Sequence, residues 1–156
     1  MSMAEITMLK VGRLVPVEGS HLYLWATQSK CREDGRLIVE WAFDVAICWG
    51  FEPKNLLTWC KRSPGVGAHF QVNTEFMVYA IARDVGGKVP MTRRDGHARP
   101  TWFEATRTEH SAKPDEAYSY IERLSPGPRI DLFARRARPG WDVWGTQAPG
   151  AVRIRL

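Results

Sequence analysis

The residues best placed for ligand chemistry lie in the second half of the chain. The segment RIDLFA (129–134) reads as a short buried strand and ends at Arg135–Arg136. The helix before it begins at Lys113, and a polar pair, Thr146–Gln147, follows it. In open α/β sheets, ligands bind beyond the carboxyl ends of the strands. A strand-end arginine, a helix-start lysine and a polar terminus would converge there on one crevice. Arginine suits such a place because its planar fork holds two oxygens at once.

Other chemistries find little support. There is no Walker A loop, no GxGxxG and no GxSxG elbow. The one GxG, Gly65–Val66–Gly67, lacks its third glycine and opens no helix. Cys60 lies in an apolar strand and reads as a buried structural thiol rather than a nucleophile. His110 stands before a helix and reads as a loop residue ahead of a base. Asp115 and Glu116 are adjacent, so on a helix they point about 100° apart. The helix dipole explains them better than paired acid–base work. Trp141 and Trp144 flank a glycine-bearing loop and either line a flat-ligand pocket or simply pack. The histidines (His21, His69, His97, His110) are scattered, with no pair at metal-ligand spacing. Cys31, Cys48 and Cys60 show no CxxC spacing, so a metal site and a disulfide framework are not expected. A reducing, cytoplasmic location follows.

These residues need elements to position them. HLYLWA (21–26) is a continuous apolar run, read as a strand buried on both faces of a parallel sheet. In RLIVEWAFDVAICWG, Leu37, Trp41, Val45 and Trp49 recur every four residues, which predicts an amphipathic helix capped by Gly50. NLLTWC (55–60) and FMVYAIA (76–82) read as further strands. Trp41, Trp49 and Trp59 are expected in the core. Between the last two strands, 61–73 is a loop with two glycines and a proline. Residues 83–108 read as a long irregular stretch. KPDEAYSYIERL (113–124) predicts a helix, SPGPR (125–129) a turn, and RRARPGWDVWGTQ (135–147) a basic loop. Strand and helix alternate, so the fold class is α/β.

The composition fits one such domain. The chain has 156 residues, 44% hydrophobic and 25% charged, enough for one core and too few for two. No apolar run approaches the ~20 residues that cross a bilayer, so no membrane role is expected. The net charge of +5 is uneven. Residues 1–82 are neutral, 83–107 carry +3, 108–120 carry −2 and 121–156 carry +4, mostly as arginine. An arginine-rich surplus suits phosphate, or is merely a solvated surface.

The order of certain segments is specific. LYLWAT (22–27), WGF (49–51), LLTWCK (56–61), a glycine-bearing loop with Glu75 downstream, and EHSAKPDEAYSYIERLSPGPRIDLFARRARPGWDVWGTQ (109–147) follow one another. Together they resemble the MT-A70 family of S-adenosylmethionine-dependent adenine-N6 methyltransferases, from about residue 6 to residue 147. The resemblance implies a Rossmann-like methyltransferase sheet in permuted motif order. It also implies that Lys113 contacts the cofactor carboxylate and Arg135 the ribose. Thr146 and Gln147 would lie near the ribose and adenine, although the family often has Asn in place of Thr146. The loop 62–73 and the stretch 83–108 would flank the target base. Lys61, Arg62, His69, Arg93 and Arg94 would then meet the nucleic acid, DNA in preference to RNA.

One departure stands beside the match. The family's catalytic motif is Asp-Pro-Pro-Trp, yet no two of the ten prolines here are adjacent. MSMAEITML resembles the stretch just after that motif. The expectation is a single partial domain, 1–156, that lacks the catalytic strand beside RIDLFA. Such a chain would be inactive alone, with strand edges open to a second chain. The alternative is a non-catalytic nucleic-acid-binding or partner subunit.

Overall fold

A computed structural model describes residues 1–63, 65, 69–90, 92, 99–107, 112–152, 154 and 156. The chain divides into two compact units, Met1–Pro90 with His97–Arg107, and Met91–Gly96 with Thr108–Leu156. Arg93, Arg94, His97 and His110 fall outside the described residues.

The first unit is a mixed four-stranded sheet with one helix on it. Helix α1 (Met3–Thr7) opens the chain and strand β1 (Ser20–Ala26) follows. Helix α2 (Ile38–Cys48) leads to β2 (Glu52–Lys61), β3 (Thr74–Ala82) and β4 (Trp102–Ala105). The sheet order is β1-β3-β2-β4. β3 runs antiparallel to both β1 and β2, with Tyr79 opposite Tyr23 on one side and Asn55 on the other. β4 runs parallel to β2, with Phe103 opposite Trp59.

Helix α2 follows from its sequence. The Leu37 backbone N–H donates to Glu40 Oε2 (2.6 Å), so a first-turn carboxylate satisfies an otherwise orphaned donor. At the other end Gly50 takes φ +87°, and Phe51 N donates back to Ala46 O (2.9 Å). This is the left-handed glycine closure that the sequence implied. The helix packs Ala42, Ile38, Val39 and Phe43 over Ala26, Val78 and their neighbours Leu24 and Leu56.

Here the observed fold departs from the expected one in several places. β1 is not a doubly buried parallel strand. It ends the sheet, pairs antiparallel, and only Ala26 is buried. Its unbroken apolar run has another cause. Leu24 and Ala26 meet α2, while Tyr23 and Trp25 on the opposite face meet Tyr79 and Trp59. β4 lies inside the supposedly irregular 83–108, hidden by its brevity and its glutamate. Trp49 and Trp59 are core residues, at 3% and 2% exposure, but Trp41 is not. Its indole N–H donates to Asp34 (3.1 Å) and the Arg36 guanidinium lies 4.2 Å from its ring. Cys60 is half-buried rather than buried.

The second unit holds α3 (Asp115–Leu124), β5 (Ile130–Leu132) and β6 (Asp142–Trp144). β5 and β6 form a parallel pair, with Leu132 opposite Trp144. β6 lies within a stretch read as loop, and β5 is three half-buried residues rather than a buried six-residue strand. Pro114 stands just before the first helical residue, and Ala117 and Ile121 form the buried stripe of α3. Among the described residues, no helix is long and apolar enough to cross a membrane.

Candidate functional site

Parallel strands deliver their following residues to the same end, and in the second unit that end carries the expected ligand groups. Pairing continues past the strands, where Ala134 N donates to Trp144 O (3.0 Å). Gly145 is held against this edge. A Cβ there would lie 2.6 Å from Ala134 O and 2.9 Å from Ala134 N. Only glycine permits that approach. Phe133, beside it, takes φ +63°, a backbone conformation that costs a non-glycine residue energy and is often kept near functional sites. Its ring sits edge-on to Trp144, with centroids 5.3 Å apart. Arg135 therefore leaves β5 beside the point where Thr146 and Gln147 leave β6. All three are exposed.

Helix α3 brings its first turn to the same end. Asp115 accepts from Arg138 (2.6 Å) and from Arg136, both in the segment that follows β5. The hydrogen bond from Arg138 holds the Asp115 carboxyl below its ordinary range, and the two guanidinium charges add to it. Arg138 also lies 3.7 Å from the Tyr118 ring centroid. One turn in, Tyr118 Oη donates to Asp131 Oδ2 (2.9 Å) in the middle of β5. Burial pushes both groups up, and for Tyr118 the Asp131 charge pushes further. Arg135, Thr146 and Gln147 thus leave one end of the β5–β6 pair, and Lys113, half-buried, stands two residues before the latched Asp115.

Trp141 and Trp144, left open between pocket lining and packing, both pack. Trp141 donates to Glu122 (2.6 Å) and sits edge-on to Tyr118, while Trp144 donates to Ile154 O (3.3 Å). The Asp115 latch and the Tyr118–Asp131 bond were not read from the sequence. Their partners lie 13 to 23 positions apart, and no periodic signal links them.

In the first unit, the end of β2 and the loop after it carry Lys61, Arg62 and His69. Lys61 Nζ lies 2.8 Å from Glu75 Oε1, with the two side chains only 11% and 15% exposed. The ammonium also sits 5.1 Å from the Trp59 ring centroid. Trp59 is fixed by a bond to Ala105 O (3.0 Å) and by Trp25 edge-on at 6.1 Å. Lys61 is therefore held inward as half of an ion pair. Arg62 is 65% exposed and 3.8 Å from Glu104, and His69 is exposed.

The chain has relatives of known family. The MT-A70 family model matches residues 1–147. The chain belongs to the MT-A70 family. It is 33% identical to the type II methyltransferase M.MunI of Mycoplasma sp, over 65% of the chain and 42% of that protein. It is 31% identical to the N(6)-adenosine-methyltransferase MT-A70-like protein of Drosophila melanogaster, over 83% of the chain and 21% of that protein. With the human N(6)-adenosine-methyltransferase catalytic subunit METTL3 the identity is 29%, over 87% of the chain and 23% of that protein. The chain thus spans less than half the length of each of these curated relatives. The mixed sheet and flanking helix accord with a methyltransferase-like α/β fold.

Proposed function

We propose that this chain supplies the cofactor grip and the nucleic-acid face of an adenine-N6 methyltransferase acting on DNA. The observation that carries the reading is the latch of Asp115 to Arg136 and Arg138. It sets the first turn of α3 at the carboxyl end of β5–β6, where α/β sheets bind ligands. The donor set fits S-adenosylmethionine. Lys113 offers an ammonium for its carboxylate, Arg135 a fork for ribose hydroxyls, and Thr146 and Gln147 polar groups for the ribose and adenine. When bound, that cofactor supplies an electrophilic methyl group on a sulfonium. What the chain itself supplies is position, which is where much of the rate of a group transfer arises.

Arg62 and His69 face the phosphate backbone in this reading, with Arg93 and Arg94 in the same role. The half-buried Lys61–Glu75 pair braces the base of the loop that holds Arg62 and His69. The match to a type II methyltransferase favours DNA, and RNA is the outcome that the same assay would reveal. The Asp-Pro-Pro-Trp motif, absent from these residues, would come on a further strand. Two features support a place for it. β1 ends one sheet, and β5 pairs on one side only among the described residues. With such a strand the sheet would have the permuted Rossmann-like order.

Calorimetry with S-adenosylmethionine tests the grip. Binding should be lost in Lys113→Ala and in Arg135→Ala. Methyl transfer to adenine-containing duplex DNA, by this chain with and without an added Asp-Pro-Pro-Trp strand, tests the chemistry. Transfer only with the added strand is expected. Cofactor binding unchanged in both variants would refute the site. DNA binding without any cofactor binding would favour a non-catalytic partner subunit.

A further inference from the structure

The hairpin that joins β2 to β3 presents a solvated aromatic ring. Pairing runs to Cys60 opposite Thr74 and continues with Lys61 N donating to Asn73 O (2.7 Å). Beyond it the two arms are pinched again. A Cβ on Gly65 would lie 1.7 Å from Val72 O. His69 and Phe70 come after Gly65 and before Val72 in the sequence. Phe70 is 84% exposed, and His69 is exposed beside it.

The unit's own packing leaves this ring in water, open to a partner. The charge of the loop indicates which kind. Residues 61–73 contain Lys61, Arg62 and His69 and no carboxylate. Glu75 already occupies Lys61, whereas Arg62 meets Glu104 only loosely, at 3.8 Å, and remains 65% exposed. An exposed apolar ring in a loop that carries a solvated arginine and a histidine and has no carboxylate of its own suits a polyanion with a stacked interior. Enzymes that act on a base take it out of the duplex, and apolar side chains are known to wedge between base steps.

We propose that Phe70 is such a wedge. It enters the base stack of duplex DNA where the target adenine leaves, while Arg62 and His69 hold the adjoining phosphates. This inference rests on the nucleic-acid reading above. It adds a specific insertion residue to it.

The test uses the full chain and two fluorescein-labelled 20-base-pair duplexes, one intact and one with a single abasic site opposite adenine. Anisotropy reads the affinity. The wild-type chain should prefer the abasic duplex about tenfold, since the gap is already open for a ring. Phe70→Ala should erase that preference and leave intact-duplex affinity within about twofold. Phe70→Trp should keep the preference. Arg62→Ala should weaken both duplexes alike and reduce the salt slope by about one ion. Circular dichroism confirms that each variant is folded. Phe70→Ala matching the wild type on both duplexes overturns the wedge and leaves the functional reading standing. A wild-type chain that binds neither duplex overturns both. Unchanged duplex binding with lost self-association in Phe70→Ala also overturns the wedge, and assigns the ring to a protein contact.

Discussion

The Tyr118 hydroxyl lies 2.9 Å from Asp131 Oδ2 and ties the middle of α3 to the middle of β5. Burial raises the Asp131 carboxyl, and this hydrogen bond works against that rise by favouring the ionised form. Tyr118→Phe removes the donor and leaves the carboxylate half-buried without it. The expected loss is about 1–3 kcal/mol in urea unfolding, the usual cost of an unsatisfied buried group. The Asp131 carboxyl should then titrate at higher pH by NMR. Asp131→Asn in the same background should recover part of the stability. No shift in either measurement would mean that the bond is incidental.

Gly145 sets the spacing between the groups that leave β5 and β6. The atoms that a Cβ would meet, Ala134 O and Ala134 N, are backbone and cannot swing aside. Gly145→Ala should cost about 1–3 kcal/mol, in the range of other forced overpacking. It should also weaken S-adenosylmethionine binding, because Arg135 and Thr146–Gln147 are pushed apart. Gly86→Ala is the control. Its Cβ would meet only the flexible Asp84 carboxylate, at 3.4 Å, so a change within about 0.5 kcal/mol is expected. Equal effects at the two sites would show that Gly145 has no special role.

How far the sequence reaches is plain from these residues. α2 and α3 were legible because a helix writes its buried stripe and its end signals locally, as Gly50 and Asp115 do. β2 and β3 were legible as apolar runs. β4 and β6 were not, since three or four residues such as DVW hold too little pattern, and a neighbouring strand decides their state. The direction of β1 was misread for a related reason. An apolar run reports burial of two faces but says nothing of a partner's polarity. The candidate grip was read as strand-end and helix-start chemistry, and the family resemblance gave Lys113 and Arg135 their roles. What fixes them in place, the Asp115 latch and the Gly145 approach, depends on contacts between distant residues.

Lys113 and Arg135 should differ in how they tolerate exchange. A lysine meeting a carboxylate acts as a point charge, so Lys113→Arg should retain part of the affinity that Lys113→Ala loses. A guanidinium that forks over two ribose hydroxyls has no lysine equivalent. Arg135→Lys should therefore fall almost as far as Arg135→Ala. The expected loss for each alanine variant is about 1.5–3 kcal/mol, the range for hydrogen bonds to charged groups. In calorimetry that is roughly a 10- to 100-fold weaker Kd. Equal tolerance of the Arg and Lys exchanges would argue against the bidentate role.

The Asp115 latch has a pH signature whose sign is fixed by its partners. The Arg138 hydrogen bond, with the charges of Arg138 and Arg136, lowers this carboxyl in the folded chain from its ordinary 3.8. Its contribution to stability is therefore fully present above that value and is lost as pH falls through the lower folded value. Asp115 is 66% exposed, so water screens the pair. The contribution should be only about 0.2–1 kcal/mol. Asp115→Asn should lower the unfolding free energy measured in urea at pH 7 by that amount, and the difference should close as pH falls below 3.8. At about 1 M salt, where the Debye length is ~3 Å, it should shrink at every pH. Cofactor affinity should follow the same trend at pH 7, because a loosened first turn of α3 frees Lys113 from its place. A wild-type-to-variant gap that is constant across pH and salt would show that Asp115 acts through packing instead of charge.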